Sequence, residues 1–313
     1  MDDAKKLISV VVPIYNEVSM VEEICSRIES VLDPLDGYVY EIVFFDDGST
    51  DGTKRAIEKL CGERDCVKGV FYSGNFGYLK NTFYCVQQAK GDCAVIVHAD
   101  LQNPPELIPE FIKKWENGAQ VVQGVKTKSR ENKFMFFLRS VFYFMMIVCF
   151  GVNIKAHATE FVLLDRSFVE VLKGIHTNTP FLRGIIREYA SSIDYLAYTQ
   201  DARKKGKSKF NLSKYYDFAI CGVTQYSRVL PRRVIVFSLV ALLLLLVELF
   251  VSFIPNAAGL SAADLMDSIL LRLGLAGLCL FVILVCIIFE YLIAAIQNTT
   301  IKPLVVEEKR IGY

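Results

Sequence analysis

Charge imbalance is what this sequence lacks most: 35 Lys and Arg stand against 34 Asp and Glu, a net +1 at pH 7. Without a global basic field there is no electrostatic footprint for nucleic acid. Charge of either sign is thin, at 22% of 313 residues, while 53% are hydrophobic. The nine cysteines (25, 61, 66, 85, 93, 149, 221, 279 and 286) are odd in number, scattered and without a C-x-x-C pair. That pattern excludes a disulfide framework and a zinc site. No long apolar stretch opens the chain, because MDDAKKLISVVVPIYNE runs directly into a strand-like segment, so no cleaved secretion signal is expected. Disorder is excluded as well, since 22 Phe and 15 Tyr are more aromatic surface than disordered chains carry. Together these features place the soluble part in a reducing cytoplasm.

The apolar excess is concentrated toward the C-terminus. Residues 234–254 (VIVFSLVALLLLLVELFVSFI) carry one charge, Glu248. At 1.5 Å per residue the run is about 31 Å long, one bilayer core. Residues 273–296 form a second such run, with Glu290 near its end. Residues 255–268 between them hold Asp264 and Asp267 and no cation, whereas Arg228, Arg232 and Arg233 precede the first run and Lys302, Lys309 and Arg310 follow the second; Arg272, at the outer end of the second run, is a mild exception that could snorkel. The positive-inside bias predicts two transmembrane helices with both ends cytoplasmic and a short loop outside. A third run, 134–150 (FMFFLRSVFYFMMIVCF), is shorter, contains Arg139, and reads as an interfacial helix.

The first hundred residues alternate. Residues 7–12, 39–45, 67–72 and 93–97 are short β-branched or aromatic runs, separated by helix-length segments at 18–32, 51–62 and 77–90. Val18, Val21, Ile24, Cys25, Ile28, Val31 and Leu32 recur at helical spacing. Such alternation predicts βαβ units and a doubly wound, mostly parallel α/β sheet, whose ligands sit beyond the carboxyl ends of the strands. Those ends read V-P-I-Y-N-E (12–17), F-D-D-G-S-T-D-G-T (45–53) and H-A-D-L-Q-N-P-P-E (98–106). One Asp-Gly-Ser-Thr-Asp cluster could be an ordinary turn and helix cap. Three polar clusters at three strand ends point to a binding crevice.

This set resembles the GT-A glycosyltransferases of family 2, and within them the polyprenyl-phosphate branch of bactoprenol glucosyltransferases and dolichyl-phosphate mannose synthases. Glu160-Phe-Val-Leu-Leu-Asp-Arg166 resembles the family's D-F-R-L-L-D-R, Arg203-Lys-Lys-Gly-Lys-Ser-Lys209 its R-x-x-G-x-S-K, and Phe181-Leu-Arg-Gly184 also fits. The resemblance implies inverting transfer of a hexose, commonly glucose from a UDP donor, to a membrane polyprenyl phosphate. It implies a nucleotide-sugar-binding half at 1–125, an acceptor half with interfacial helices at 126–230, a membrane hairpin at 231–300 and a cytoplasmic tail at 301–313. The implied location is the bacterial inner membrane, and a homo-oligomer is compatible with it.

The resemblance also assigns residues. Pro13, Tyr15, Glu17 and Asp46 or Asp47 would hold the nucleoside, with His98, Ala99 and Lys126 toward the donor diphosphate. Asp100 and Gln102 supply oxygen ligands for Mg²⁺ or Mn²⁺. His98 stands where the family has aspartate, which implies either a shifted metal preference or contact with phosphate. Glu160 aligns with a suspected catalytic base, and Asp165 with Arg166 reads as a structural ion pair. Arg139, Arg203, Ser208 and Lys209 would meet the acceptor phosphate, Arg203, Ser208 and Lys209 could instead clamp the donor diphosphate, or 203–209 would be a basic stretch near anionic lipid. A processive polysaccharide synthase needs Q-x-x-R-W, absent here because the one tryptophan is Trp115 in K-K-W-E. A catalytically degenerate membrane partner is the remaining alternative, motivated by His98 and by Val162 in place of the family arginine.

Overall fold

A computed structural model describes residues 5–129, 140–200, 262–299 and 302–313, with separate positions between 220 and 247. Four strands, β1 (Lys6–Ile14), β2 (Tyr38–Asp46), β3 (Val67–Tyr72) and β4 (Cys93–Ile96), alternate with helices α1 (Val21–Leu32), α2 (Thr53–Glu63) and α3 (Tyr78–Gln88). Helix α4 (Ile108–Glu116), strand β5 (Val121–Ser129) and a short apolar helix, α5 (Ser140–Cys149), come next. They lead into β6 (Ala158–Asp165), α6 (Arg166–Lys173), α7 (Leu182–Tyr189) and β7 (Ile193–Gln200), and the chain ends with α8 (Ala262–Thr299) and β8 (Glu307–Ile311).

All eight strands form one sheet in the order β7-β5-β6-β4-β1-β2-β3-β8. It is parallel across β3-β2-β1-β4 and between β5 and β7, and antiparallel where β6 meets β4 and β5 and where β8 meets β3. The strands are continuous apolar runs because helices cover both faces. Ile8, Val10, Val12, Ile42 and Phe44 pack under α1, α2 and α4, while Val11, Val43 and Phe45 point the opposite way under α3, α6 and α7. That alternation is the period of two of a strand. Helix α1 buries Val21, Ile24, Cys25, Ile28 and Leu32, as its spacing predicts, whereas Val18 lies exposed in the short turn before it. Strand β1 pairs with β2 on one side and β4 on the other, so a crevice opens where connections diverge at their carboxyl ends.

Two organisational expectations look different in three dimensions. The 125/126 division falls inside β5, and β5, β6 and β7 continue the sheet of the first half. Residues 302–313 add to the sheet: β8 pairs with β3, Val305 is buried, and Tyr84 donates to Glu307 at 2.6 Å. The charged run Glu-Glu-Lys-Arg hid this strand from pattern reading, yet charge is what an outermost strand uses to discourage further pairing.

The described residues hold one membrane-length helix where the sequence reading expects two. It covers Ile269–Ile296 within α8, and Leu270, Leu271, Phe281, Phe289 and Ile296 are all exposed. Most of 234–254 lies outside the described residues; Val236, Phe237, Leu239 and Leu243, which are described, are helical and exposed. Helix α5 is two-faced. Tyr143 and Met146 pack with Val152, Ile154 and Phe181, whereas Val141, Phe144, Met145 and Val148 are open.

Removing residues 304–313 uncovers the β3 edge and deletes buried Val305. We expect a loss of at least about 2 kcal/mol, read from denaturant unfolding of the detergent-solubilised chain. A truncated chain as stable as the full one would show that β8 only rests on the sheet.

Candidate active site

The three polar strand ends meet in the crevice. After β1, Asn16 adopts a left-handed conformation (φ 51°) and accepts from the Thr50 amide at 2.7 Å, while its own N–H donates to Ser49 Oγ at 2.8 Å. The Glu17 N–H donates to Thr53 Oγ1 at 3.0 Å. The turn after β2 is thus stitched to the end of β1. Gly48 cannot be replaced there: its φ is +71°, and a Cβ would lie 2.5 Å from the Gly74 carbonyl carbon.

The paired aspartates have separate tasks. Asp46 accepts from the hydroxyl and amide of Ser49, closing its own turn. Asp47 accepts from the Phe76 and Gly77 amides at 2.7 and 3.0 Å, holding the β3–α3 loop against the crevice. Both side chains are buried, and burial pushes the Asp47 carboxyl up to about 6 despite the two amide donors.

Beyond β4 lies a continuous buried chain of hydrogen bonds. Asn103 Nδ2 is 2.7 Å from His98 Nδ1, and His98 Nε2 is 2.8 Å from the Tyr78 hydroxyl. Tyr78 donates to Glu160 Oε2 at 2.9 Å, and Arg183 grips both carboxylate oxygens of Glu160 at 2.7 and 2.8 Å. At the other end Tyr198 donates to Asn103 Oδ1 at 2.6 Å. Because an amide Nδ2 only donates, His98 Nδ1 is the acceptor and Nε2 carries the proton, a tautomer assigned from its partners. Desolvation favours that neutral ring and lowers the His98 pKa. Burial alone would raise the Glu160 carboxyl, but the Arg183 guanidinium holds it below the usual range.

Asp100 follows directly. Its Oδ1 accepts from the Gln102 amide at 3.1 Å across a turn in which Leu101 is left-handed (φ 53°) and buried. The side-chain Oε1 of Gln102 accepts from Gln200 Nε2 at 3.2 Å. Among the described residues no three His, Cys, Asp or Glu side chains form a metal cage. The donor set nevertheless suits a hard cation carried by a diphosphate, which needs only one or two protein oxygens and takes the rest from phosphate and water. Asp100 and Gln102 fit that role. His98 does not, because both ring nitrogens already have protein partners.

Residues 9–193 match the model of "Glycosyl transferase family 2". The chain belongs to this family. It is 31% identical over 228 residues to the bactoprenol glucosyl transferase of Shigella phage SfV, covering 72% of this chain and 74% of that protein. It is 28% identical over 309 residues to the glycosyltransferase YkcC of Bacillus subtilis (strain 168), covering 97% and 94%. Among solved structures it is similar to the mannosyl-3-phosphoglycerate synthase of Rubrobacter xylanophilus, with 13% identity, a TM-score of 0.49, and coverage of 73% of this chain and 74% of that one.

In this family 2 glycosyltransferase the expected site residues divide into three groups. Pro13, Tyr15, Glu17, Asp46, Asp47, His98, Ala99, Asp100, Gln102 and Glu160 come together around the crevice or the hydrogen-bonded chain below it. Lys126 is buried on β5, where its N–H donates to the His157 carbonyl at 3.0 Å. Arg139, Arg203, Ser208 and Lys209 lie outside the described residues. The expected Asp165–Arg166 pair is replaced by two separate structural roles. Asp165 caps α6 through the Ser167 amide and accepts from Trp115 Nε1 at 2.7 Å, while Arg166 donates to the carbonyls of Ala89 and Gly91. Sequence reading missed Tyr78, Asn103 and Tyr198, each an unremarkable residue whose role depends on long-range contacts; Arg183 was visible only as a letter in F-L-R-G.

Between about pH 4 and 6 the folded chain keeps a proton on Asp47 that the unfolded chain has released. This group's contribution therefore falls as pH rises through that window and is lost above it. We expect the stability difference between wild type and Asp47→Asn to move about 2 kcal/mol in favour of wild type from pH 7.5 to pH 4. A difference constant with pH would mean that Asp47 titrates normally. Separately, His98→Asp, although it writes the family letter, puts a second carboxylate beside Tyr78 and Glu160 and removes a donor. A loss of about 2 kcal/mol or more is expected in thermal unfolding; unchanged stability would show that the chain of hydrogen bonds contributes little.

Proposed function

We propose that this glycosyltransferase moves a hexose, glucose from UDP-glucose in the first instance, to a polyprenyl phosphate in the bacterial inner membrane, with inversion at the anomeric carbon. One observation carries the reading. The acid-lined crevice is joined by Arg183 to α5, a helix with an open apolar face, in a chain that also has a membrane-length helix. The relatives named bactoprenol glucosyl transferases support the lipid acceptor. On this reading α5 lies in the membrane interface and both termini are cytoplasmic.

A phosphate oxygen of the lipid attacks the anomeric carbon, the new C–O bond forms, and the bond to the nucleoside diphosphate breaks with its electron pair leaving on that diphosphate. The attacking phosphate is already an anion near neutral pH, so no strong base is required. This agrees with Glu160, whose ion pair with Arg183 keeps it ionised and weakly basic. Its catalytic task is to fix charge at the acceptor side of the crevice. Pro13, Tyr15, Glu17 and Asp46 wall the nucleoside pocket, and Asp47 shapes it from behind by holding residues 76 and 77. By the family resemblance Lys126 would meet the donor phosphates, and Arg139, Arg203, Ser208 and Lys209 would meet the lipid phosphate. Asp100 and Gln102 would hold a divalent cation, Mg²⁺ or Mn²⁺, which when bound would supply charge neutralisation for the departing diphosphate.

The test is a screen of nucleotide sugars with the purified chain and polyprenyl phosphate, scored by lipid-linked sugar. Product is expected with a UDP-hexose, and Asp100→Ala should lower turnover by roughly 100-fold or more. Donor cleavage without lipid product would reject the acceptor, and near-normal turnover of Asp100→Ala would reject the diphosphate site.

A further inference from the structure

Helix α5 and Glu160 are connected through one hydroxyl group. Arg183 turns one edge of its guanidinium to Glu160 and gives Nη1 to the Tyr143 hydroxyl at 2.7 Å. Tyr143 is 6% exposed and lies against the His157 ring at 5.0 Å. Its own hydroxyl proton points to the carbonyl of Ala158 at 3.5 Å, at the start of the strand that carries Glu160. The hydroxyl thus accepts from Arg183 and donates toward β6, closing a ring through α5, α7 and β6. Phenylalanine would fill the same volume but leave the Arg183 donor unmatched in a buried place.

The far end of α5 is tied to the membrane-length helix. Ser227 donates its hydroxyl to the Phe150 carbonyl, and Tyr291 of α8 donates to the Ser227 carbonyl at 3.2 Å. Arg233 donates to the carbonyls of Val148 and Cys149, the last of α5. Between these two anchors α5 shows an open row of Val141, Phe144, Met145 and Val148. The helix is therefore fixed to α8 at one end and to a buried ion pair by its middle, with an apolar face left to a third body.

We propose that Tyr143 is a positioning residue for sugar transfer: by tying Arg183 to α5, it makes the placement of Glu160 depend on the seating of α5 against the bilayer. This rests on the chain being a transferase to a lipid phosphate, and it adds that the membrane surface completes the pocket. Arg183 carries the dependence because its fork has one fixed plane. Holding Nη1 on α5 sets the angle at which the other edge meets both oxygens of Glu160. If α5 shifts by a fraction of a turn, Arg183 loses one of its directed contacts, and Glu160 and Tyr78 lose their alignment.

The experiment compares the full chain, wild type and Tyr143→Phe, in phospholipid nanodiscs and in detergent micelles, with Arg183→Lys and the double variant alongside. In nanodiscs Tyr143→Phe should lower kcat for polyprenyl phosphate roughly 10- to 100-fold, with the nucleotide-sugar KM little changed and the melting temperature lowered by a few degrees, the cost of one unmatched buried donor. The double variant should be no slower than Arg183→Lys alone, because both act through one group. Hydrogen exchange gives a readout independent of turnover. Wild-type segments 158–165 and 182–189 should exchange more slowly in nanodiscs than in micelles, and Tyr143→Phe should abolish that difference while β1 to β3 stay unchanged. Wild-type kcat in Tyr143→Phe, losses that add to those of Arg183→Lys, or an exchange difference that survives in Tyr143→Phe would each overturn the proposal. If wild type itself makes no lipid-linked sugar, the transferase reading fails, and the exchange comparison alone decides whether Tyr143 couples α5 to the pocket.

Discussion

A buried charge must be answered, and in this protein the answer organises the site. Glu160 and Arg183 have side chains only 7% and 15% exposed and meet through two parallel hydrogen bonds. Removing either partner would strand the other in a low-dielectric interior, a cost of several kcal/mol, whereas the intact pair adds little net stability. Its value is directional. Glu160 has oxygen capacity left for Tyr78, Tyr78 orders His98, and His98 orders Asn103. The guanidinium's remaining edge reaches α5. One ion pair thereby fixes the relative placement of β6, α7, α3, the loop after β4, and α5.

The same logic explains how a histidine is accommodated at position 98. A second acid beside Glu160 would need another cation, which the described pocket does not place there. A neutral imidazole instead passes the hydrogen-bond chain onward without adding charge. On the proposed function this leaves Asp100 as the acid for a cation on the donor diphosphate, with Gln102 as a neutral oxygen beside it.

Much of the frame was legible because its determinants are local. Apolar runs of strand length, helical spacing in 18–32, and polar clusters at three strand ends identified the four central strands, the first three helices and the crevice. The failures share a physical cause. Strand β8 is charged and pairs with β3 from the other end of the chain, so its own residues carry no strand signal. Tyr78, Asn103, Arg183 and Tyr198 take their roles from partners that are, Asn103–His98 apart, twenty or more positions away. Asp165 and Arg166 are adjacent in sequence, which suggested a pair, but helix capping and the carbonyls of the α3–β4 connection claimed them separately.

Sequence alone determined the class of this protein: a doubly wound sheet with an acid-rich carboxyl edge, an apolar segment long enough to cross a bilayer, and the motifs of family 2 glycosyltransferases. These properties depend on periodicity, length and residue type, which the order of residues records directly. Only the tertiary structure decided which acids are committed and which are available. Asp47 is spent on the β3–α3 loop, Glu160 on Arg183 and Tyr78, and Asp100 stands at the crevice. The reason is that desolvation and hydrogen-bond partnership are properties of a place in the fold, and two identical carboxylates in one sequence acquire different chemistry only when packing gives them different neighbours.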